Sequence, residues 1–167
     1  HSFETLIKAL KNRMDFFEAN GCCVSDHGLE YVMYKPASFE TVEEIFAKRF
    51  KGEVITHEEE LVFKTAFMVA LGKEYNKKNN RIAAICAAPS ILGNLGLLEG
   101  KKAMAFPGFE TQLTGAVIIT APERVVTDGN ITTSRGMGTS LDLGLELVRL
   151  IKGEELAEQL RTSTQYI

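Results

Sequence analysis

One stretch constrains the fold of this chain more than any other: residues 81–100, which read RIAAICAAPSILGNLGLLEG. The first six are a short and mostly apolar run ending in Cys86, the pattern of a buried parallel strand. Small residues and Pro89 follow, and then an apolar-periodic segment over residues 91–98. This order predicts a strand, a sharp turn and a helix, with a thiol at the turn.

Two interpretations of Cys86 are open from this spacing. A hydroxyl at such a nucleophile elbow is the attacking group of many hydrolases, and a thiol there lies near a helix N-terminus, which favours its anionic form. Cys86 would then be a nucleophile, with the backbone N–H of Ala87 as oxyanion donor. Alternatively, Cys86 is simply a small core residue, because cysteines outside disulfides are commonly buried.

Composition excludes several classes of protein. The 19 basic and 22 acidic residues leave a net charge of -3, which gives no electrostatic footprint for nucleic acid or an anionic membrane. No apolar run approaches the roughly 20 residues that span a bilayer, and no signal peptide is visible. Three cysteines, two of them adjacent, fit a reducing, cytoplasmic-type compartment rather than a disulfide framework.

The length of 167 residues predicts a single domain. No cofactor and no specific partner are expected, and the chain is predicted to be a monomer or a weak homodimer. Because it begins at His1 rather than Met, we expect a tag remnant or a fragment of a longer sequence.

The first part of the chain carries a helical pattern. Thr56 with Glu59 three residues later forms a capping box for the longest helix. Phe39 and Phe50 fall on the apolar stripe of the preceding helix and are expected to face inward. The predicted elements are, in order, a helix over residues 3–19, a strand over 21–26, a helix over 38–50 and a helix over 56–75.

The part after residue 100 carries a mixed pattern. Asp128, Gly129 and Asn130 predict a tight hairpin turn between two β-rich runs. Residues 135–139 (RGMGT) form a glycine-rich loop that lacks the lysine and the spacing of a phosphate loop, with Thr139 as the expected cap of the next helix. The predicted elements are strands over residues 101–107, 117–121, 124–127 and 131–134, and helices over 140–152 and 154–160.

A metal site near Asp26 and His27 is not expected. Cys22, Cys23, Asp26 and His27 are all residue types that bind zinc. Adjacent side chains on a strand point to opposite faces, however, so at most Cys22 with Asp26, or Cys23 with His27, share a side. We therefore interpret Asp26 and His27 as polar residues at a strand end.

From residue 81 onward the chain resembles the ThiJ/PfpI family. The resemblance rests on AICAAP, GLLEGKKAMAFPGFE and DGNITTSRGMGTSLDLGLELV, which agree with the family in order and spacing. It covers about half of the chain. It implies a flavodoxin-like α/β sandwich with Cys86 as the elbow cysteine, and a pocket walled by Pro89 and by the loop of Gly136, Met137 and Gly138.

The same resemblance implies groups that this chain does not supply. In the family, a glutamate from a preceding N-terminal half hydrogen-bonds the cysteine, and no such half precedes residue 81 here. Some members also place a histidine after the elbow, whereas the last histidine of this chain is His57. We expect Asp26 and His27 to be the polar groups nearest the pocket, because site residues gather at the carboxyl ends of parallel strands.

Residues 2–80 carry a second resemblance. The runs FETLIKALKNRMDFFEANGCCVSDHGLE and EIFAKRFKGEVITHEEELVFKTAFMVALGKEYNKKN resemble uronate isomerase, a TIM barrel of the amidohydrolase superfamily. The next barrel strand of that family would carry a histidine motif, but here IAAIC stands in its place. Two unrelated families thus meet near residue 80 with no linker between them, which indicates an engineered chimera.

We therefore predict an α/β fold: a three-layer, flavodoxin-like sandwich with a mainly parallel central sheet of about five strands. The predicted function is that of a designed or recombined scaffold with no evolved biochemical activity. The alternatives are a ThiJ/PfpI-like cysteine enzyme of deglycase, glyoxalase or hydrolase type, and a redox-sensing thiol protein, both acting through Cys86.

Overall fold

The computed structural model describes residues 1–22 and 33–166, which form two compact units, His1–Lys78 and Asn79–Ile167. Most of the strand predicted over residues 21–26 lies outside the described residues, as do Asp26 and His27. The expectation of one shared domain stays a prediction. No helix in the two described ranges is long and apolar enough to cross a membrane.

The described part of the first unit contains three capped helices, as the sequence predicts. They are α1 (Phe3–Ala19), α2 (Phe39–Phe50) and α3 (His57–Lys77). The side chains of Ser2, Ser38 and Thr56 each accept from the backbone N–H three residues later. The core contains Phe3, Val42, Ile45 and Val62, with further aromatic rings packed against it. The expectation for Phe39 and Phe50 is wrong, since their side chains are 55% and 61% exposed.

The second unit contains five short strands in its described part. They are β1 (Ile82–Ile85), β2 (Lys102–Ala103), β3 (Val117–Ile118), β4 (Val125–Asp128) and β5 (Ile131–Ser134). β5 lies between β1 and β4, parallel to β1 and antiparallel to β4, whereas β2 pairs in parallel with β3 alone. The helices are α4 (Pro89–Asn94), α5 (Ser140–Lys152) and α6 (Glu154–Ser163).

The α/β class is borne out, but a single five-stranded central sheet is not. The backbone N–H groups of Lys102 and Met104 donate to the side chains of Asp128 and Thr133, at 2.8 and 3.0 Å. These bonds replace a main-chain ladder between β2 and the larger sheet, so the five strands of the described part form two sheets. The helix expected over residues 91–98 is also shorter, because α4 ends at Asn94.

The core of the second unit lies behind the thiol-bearing strand. Ala84 of β1 belongs to a buried cluster in which Leu98 and Ala103 have no exposed surface. Ala103 and Ala105 bring the segment after α4 against β1 and β5. This packing leaves the carboxyl ends of β1 and β5 side by side, which is where the candidate site lies.

Candidate functional site

The pairing of β1 with β5 determines where Cys86 sits. Ile85 lies opposite Ser134 in the parallel register, so Cys86 and Arg135 are the next residues beyond the two strand ends. The Cys86 N–H donates to the carbonyl of Ser134 at 3.1 Å, and the Cys86 carbonyl accepts from the N–H of Phe106 at 2.8 Å. Both backbone groups of Cys86 are therefore held by neighbouring segments.

Cys86 adopts a backbone conformation that non-glycine residues rarely take. Its φ is +64°, in the left-handed region, where the Cβ of an L-residue crowds the following carbonyl at a cost of about 1–2 kcal/mol. Its side chain is exposed rather than buried. The interpretation of Cys86 as a core residue is therefore wrong. We call residues 86–89 the thiol turn.

The thiol turn keeps one backbone donor available. The Ala88 N–H donates to Ile85, and the Ala87 carbonyl accepts from both the N–H and the hydroxyl of Ser90. Pro89 is buried and has no N–H. In the described part of the chain the N–H of Ala87 has no acceptor, although Ala87 itself is only 8% exposed.

The glycine-rich loop, residues 135–139, continues directly from β5 beside the thiol turn. The Thr139 hydroxyl lies 2.6 Å from the Ser134 hydroxyl and accepts from the Gly136 N–H at 3.1 Å, which ties the loop to the end of the strand. Thr139 occupies the N-cap position of α5, as predicted, but its hydroxyl makes no capping hydrogen bond to the helix. A Cβ at Gly136 would lie 3.1 Å from the Phe106 ring, so the loop packs closely on Phe106.

The structure differs from the predicted pocket at two residues, Phe106 and Met137. Phe106 connects Cys86 to Gly136, through its N–H on one side and its ring on the other. The side chain of Met137 is 91% exposed and contributes little wall. Phe106 was not predicted as a pocket residue, and the sequence signal for it is its place in the AMAFPGFE run.

A polar cluster that the sequence did not reveal holds the far side of the loop. Arg124 donates through Nε to Asp142 at 2.7 Å and through Nη2 to the carbonyl of Gly138 at 2.5 Å. The Tyr166 hydroxyl donates to the same Asp142 oxygen at 2.7 Å and accepts from Arg124 at 3.1 Å. Burial opposes ionisation of Asp142, but the hydrogen bonds from Tyr166 and Arg124 outweigh it and lower its pKa.

The electrostatics at the thiol itself are sparse. Across residues 1–22 and 33–166, no side chain hydrogen-bonds the Cys86 sulfur, and no three His, Cys, Asp or Glu side chains are grouped for a metal ion. Arg135, adjacent in register to Cys86, has a buried Nε without an acceptor in the same ranges. The arrangement can present an exposed sulfur beside an available backbone N–H.

Two family profiles match overlapping parts of the chain. The profile described as Glucuronate isomerase matches residues 1–88, and the profile described as DJ-1/PfpI family matches residues 56–150. Each covers more than half of the 167 residues, and the overlap contains the boundary between the two compact units.

Individual relatives come from the same two families. A uronate isomerase of Lachnospira eligens is 68% identical over 79 residues, 47% of this chain and 17% of that protein. Protein DJ-1 homolog A of Arabidopsis thaliana is 43% identical over 79 residues, 47% of this chain and 20% of that protein. The structure of oxidized Toxoplasma gondii DJ-1 superposes with a TM-score of 0.56 at 31% identity, covering 61% of this chain and 55% of that one. The chain thus spans a fifth or less of the length of these two curated relatives.

Proposed function

The chain belongs to the glucuronate isomerase family over residues 1–88 and to the DJ-1/PfpI family over residues 56–150, and we propose that this chimera is a recombined scaffold. It carries a stoichiometrically reactive thiol at Cys86 and has no evolved catalytic turnover.

The observation that carries this proposal is the contrast between the backbone and the side chains around Cys86. The thiol is exposed on a left-handed turn whose N–H and C=O are both hydrogen-bonded, and this supports the proposal that the turn is a nucleophile elbow. In the described ranges no side chain hydrogen-bonds the sulfur. Turnover requires a group that gives and takes protons in step with the reaction, so the site is suited to a single addition.

The chemistry of that single addition uses only groups on the thiol turn. The Cys86 thiol gives its proton to water and the sulfur adds to the carbonyl carbon of a small aldehyde, so that a C–S bond forms and the π electron pair moves to the carbonyl oxygen. The N–H of Ala87 is the available donor for that oxygen, which then takes a proton from water. The product is a hemithioacetal that stays on Cys86 until the addition reverses.

A second candidate function is a cysteine enzyme of deglycase or glyoxalase type. The specific observation in its favour is the N–H of Ala87, which is buried with its residue and has no acceptor in the described part of the chain. A backbone donor in this state is already desolvated and oriented, as an oxyanion donor needs to be. The enzyme needs a proton-transfer group as well.

The experiment that separates the two candidates measures aldehyde consumed per chain. The full chain is incubated with a large excess of methylglyoxal, and both the aldehyde lost and the Cys86 adduct are followed. The scaffold predicts at most about one equivalent, confined to Cys86 and absent in Cys86→Ser, with Cys22→Ser as the matched control. Consumption of many equivalents that Cys86→Ser abolishes would establish the enzyme and overturn the scaffold.

A further inference from the structure

The carboxyl end of α6 is turned back toward α5 by a complete Schellman motif. The Tyr166 N–H donates to the carbonyl of Arg161 at 3.1 Å, and the Gln165 N–H donates to that of Thr162 at the same distance. Gln165, which directly precedes Tyr166, has φ +55°, the left-handed conformation that this motif requires. The motif therefore orients Tyr166 from a local cause, namely the hydrogen-bond pattern at the end of its own helix.

Tyr166 oriented in this way completes a closed three-membered network, Arg124–Asp142–Tyr166, which we call the clasp. The tyrosine hydroxyl accepts from the guanidinium and donates to the carboxylate, while the guanidinium donates to the same carboxylate oxygen. Each bond involves a charged group, and such bonds are roughly twice as strong as neutral ones. The Asp142 side chain is only 18% exposed, so solvent competes weakly for it.

The clasp has one connection that leads to the glycine-rich loop. Nη2 of Arg124 donates to the Gly138 carbonyl at 2.5 Å. The other end of the same loop is held by Thr139, and Gly136 packs on the ring of Phe106, whose N–H binds the Cys86 carbonyl. A continuous chain of contacts therefore runs from the last described residue to the thiol turn.

We propose that Tyr166, through Asp142 and Arg124, is a positioning residue for the Cys86 site: it holds the glycine-rich loop in the one arrangement that supports the thiol turn. The inference rests on the proposed function for the identity of the reacting group. A phenylalanine at this position cannot bridge the guanidinium and the carboxylate. Arg124 would then keep its ion pair with Asp142 but lose the second partner that fixes the orientation of its Nη2.

The test uses the full chain and two readouts. The first is hydrogen exchange of the Gly136 and Thr139 amides, which donate within the loop. The second is the ratio of iodoacetamide alkylation rates at Cys86 and Cys22, located by peptide mass spectrometry. The variants are Tyr166→Phe and Arg124→Lys, with Tyr75→Phe and Arg149→Lys as matched controls. Arg149 donates from two nitrogens to Glu146 on α5, at distances similar to those of the Arg124 hydrogen bond to Asp142. In the described ranges no hydrogen bond joins Arg149 to the glycine-rich loop.

In Tyr166→Phe and Arg124→Lys we expect loop exchange to rise about tenfold, since the bond to Gly138 comes from a charged donor. The Cys86-to-Cys22 rate ratio should fall about threefold or more, and the double variant should be little worse than the more affected single variant, because the residues act as one network. Gln165→Gly relieves the left-handed cost at the motif and should slow loop exchange instead. This opposite variant keeps the test decisive if a clasp variant folds poorly.

Three outcomes would overturn the inference: loop exchange in Tyr166→Phe that matches Tyr75→Phe, an Arg149→Lys effect as large as that of Arg124→Lys, or a Cys86 rate ratio that stays constant while the loop loosens. Failure of the proposed function looks different. It appears in the unsubstituted chain, as many aldehyde turnovers or as no adduct at Cys86, whatever the clasp variants do.

Discussion

Replacing Cys86 by glycine should stabilise the second unit, although it deletes a side chain. The φ of +64° costs an L-residue about 1–2 kcal/mol, and glycine does not incur that cost. Glycine loses about 0.5–1 kcal/mol more backbone entropy on folding than other residues do. Because the Cys86 side chain is exposed, its removal sacrifices little burial. The net expectation is a gain of about 0.5–1 kcal/mol.

Hydrogen exchange in peptides from β5 is the suitable assay, because β5 pairs with β1 and reports opening of this unit alone. A gain of about 0.5–1 kcal/mol slows exchange by roughly two- to fivefold. The matched control is Cys86→Ala, which keeps the Cβ and therefore the strain, and which should change exchange by less than about twofold. If the β5 amides exchange no more slowly in Cys86→Gly than in Cys86→Ala, the thiol turn is not strained and the left-handed φ carries no such cost.

Three further perturbations test the packing and the charges of the second unit, each by the same exchange assay. Gly93→Ala should destabilise by about 2 kcal/mol or more, because its Cβ would lie 2.4 Å from the backbone oxygen of Gln112, whereas Gly144→Ala, with open space around it, should stabilise by up to about 1 kcal/mol; equal effects would refute the close approach. Leu98→Ala should cost about 2–5 kcal/mol, since Leu98 is fully buried, and a cost below about 1 kcal/mol would mean that this core is loose. Asp142 has a lowered pKa in the folded chain, so its stabilising contribution is complete above the unfolded pKa of about 3.9 and is lost as pH falls through the folded value. Asp142→Asn should therefore reduce the loss of stability on acidification. If stability depends on pH in the same way in both chains, Asp142 is not the group responsible.

Local patterns in the sequence predicted the local structure well. The capping box at Thr56 and Glu59 begins α3, and the turn at Asp128 to Asn130 joins β4 to β5. The apolar run ending in Cys86 is strand β1, with the thiol at the turn that follows. These features depend on hydrogen bonds and side chains within a few residues, so the sequence contains all of their determinants.

Features that depend on distant residues were not predicted. The side chains of Asp128 and Thr133 accept from N–H groups in and just after β2, so a strand that looks continuous in the sequence does not join the larger sheet. Arg124 and Tyr166 are 42 positions apart, and nothing in either neighbourhood indicates their contact. The exposure of Phe50 has a related origin, because an apolar stripe predicts an inward face but not which neighbour covers it.

We propose that the thiol turn remains formed in this chimera and gives Cys86 a reactivity of its own. Cys22 is also exposed and serves as the internal reference in the same molecule. The most direct measurement is the ratio of their iodoacetamide alkylation rates in the folded chain and in concentrated urea, with adducts located by peptide mass spectrometry. Cys86 should react about fivefold faster in the folded chain, since the available Ala87 N–H can donate to the carbonyl oxygen of the reagent, and the difference should disappear in urea. Equal rates in the folded chain, or a faster Cys22, would contradict it.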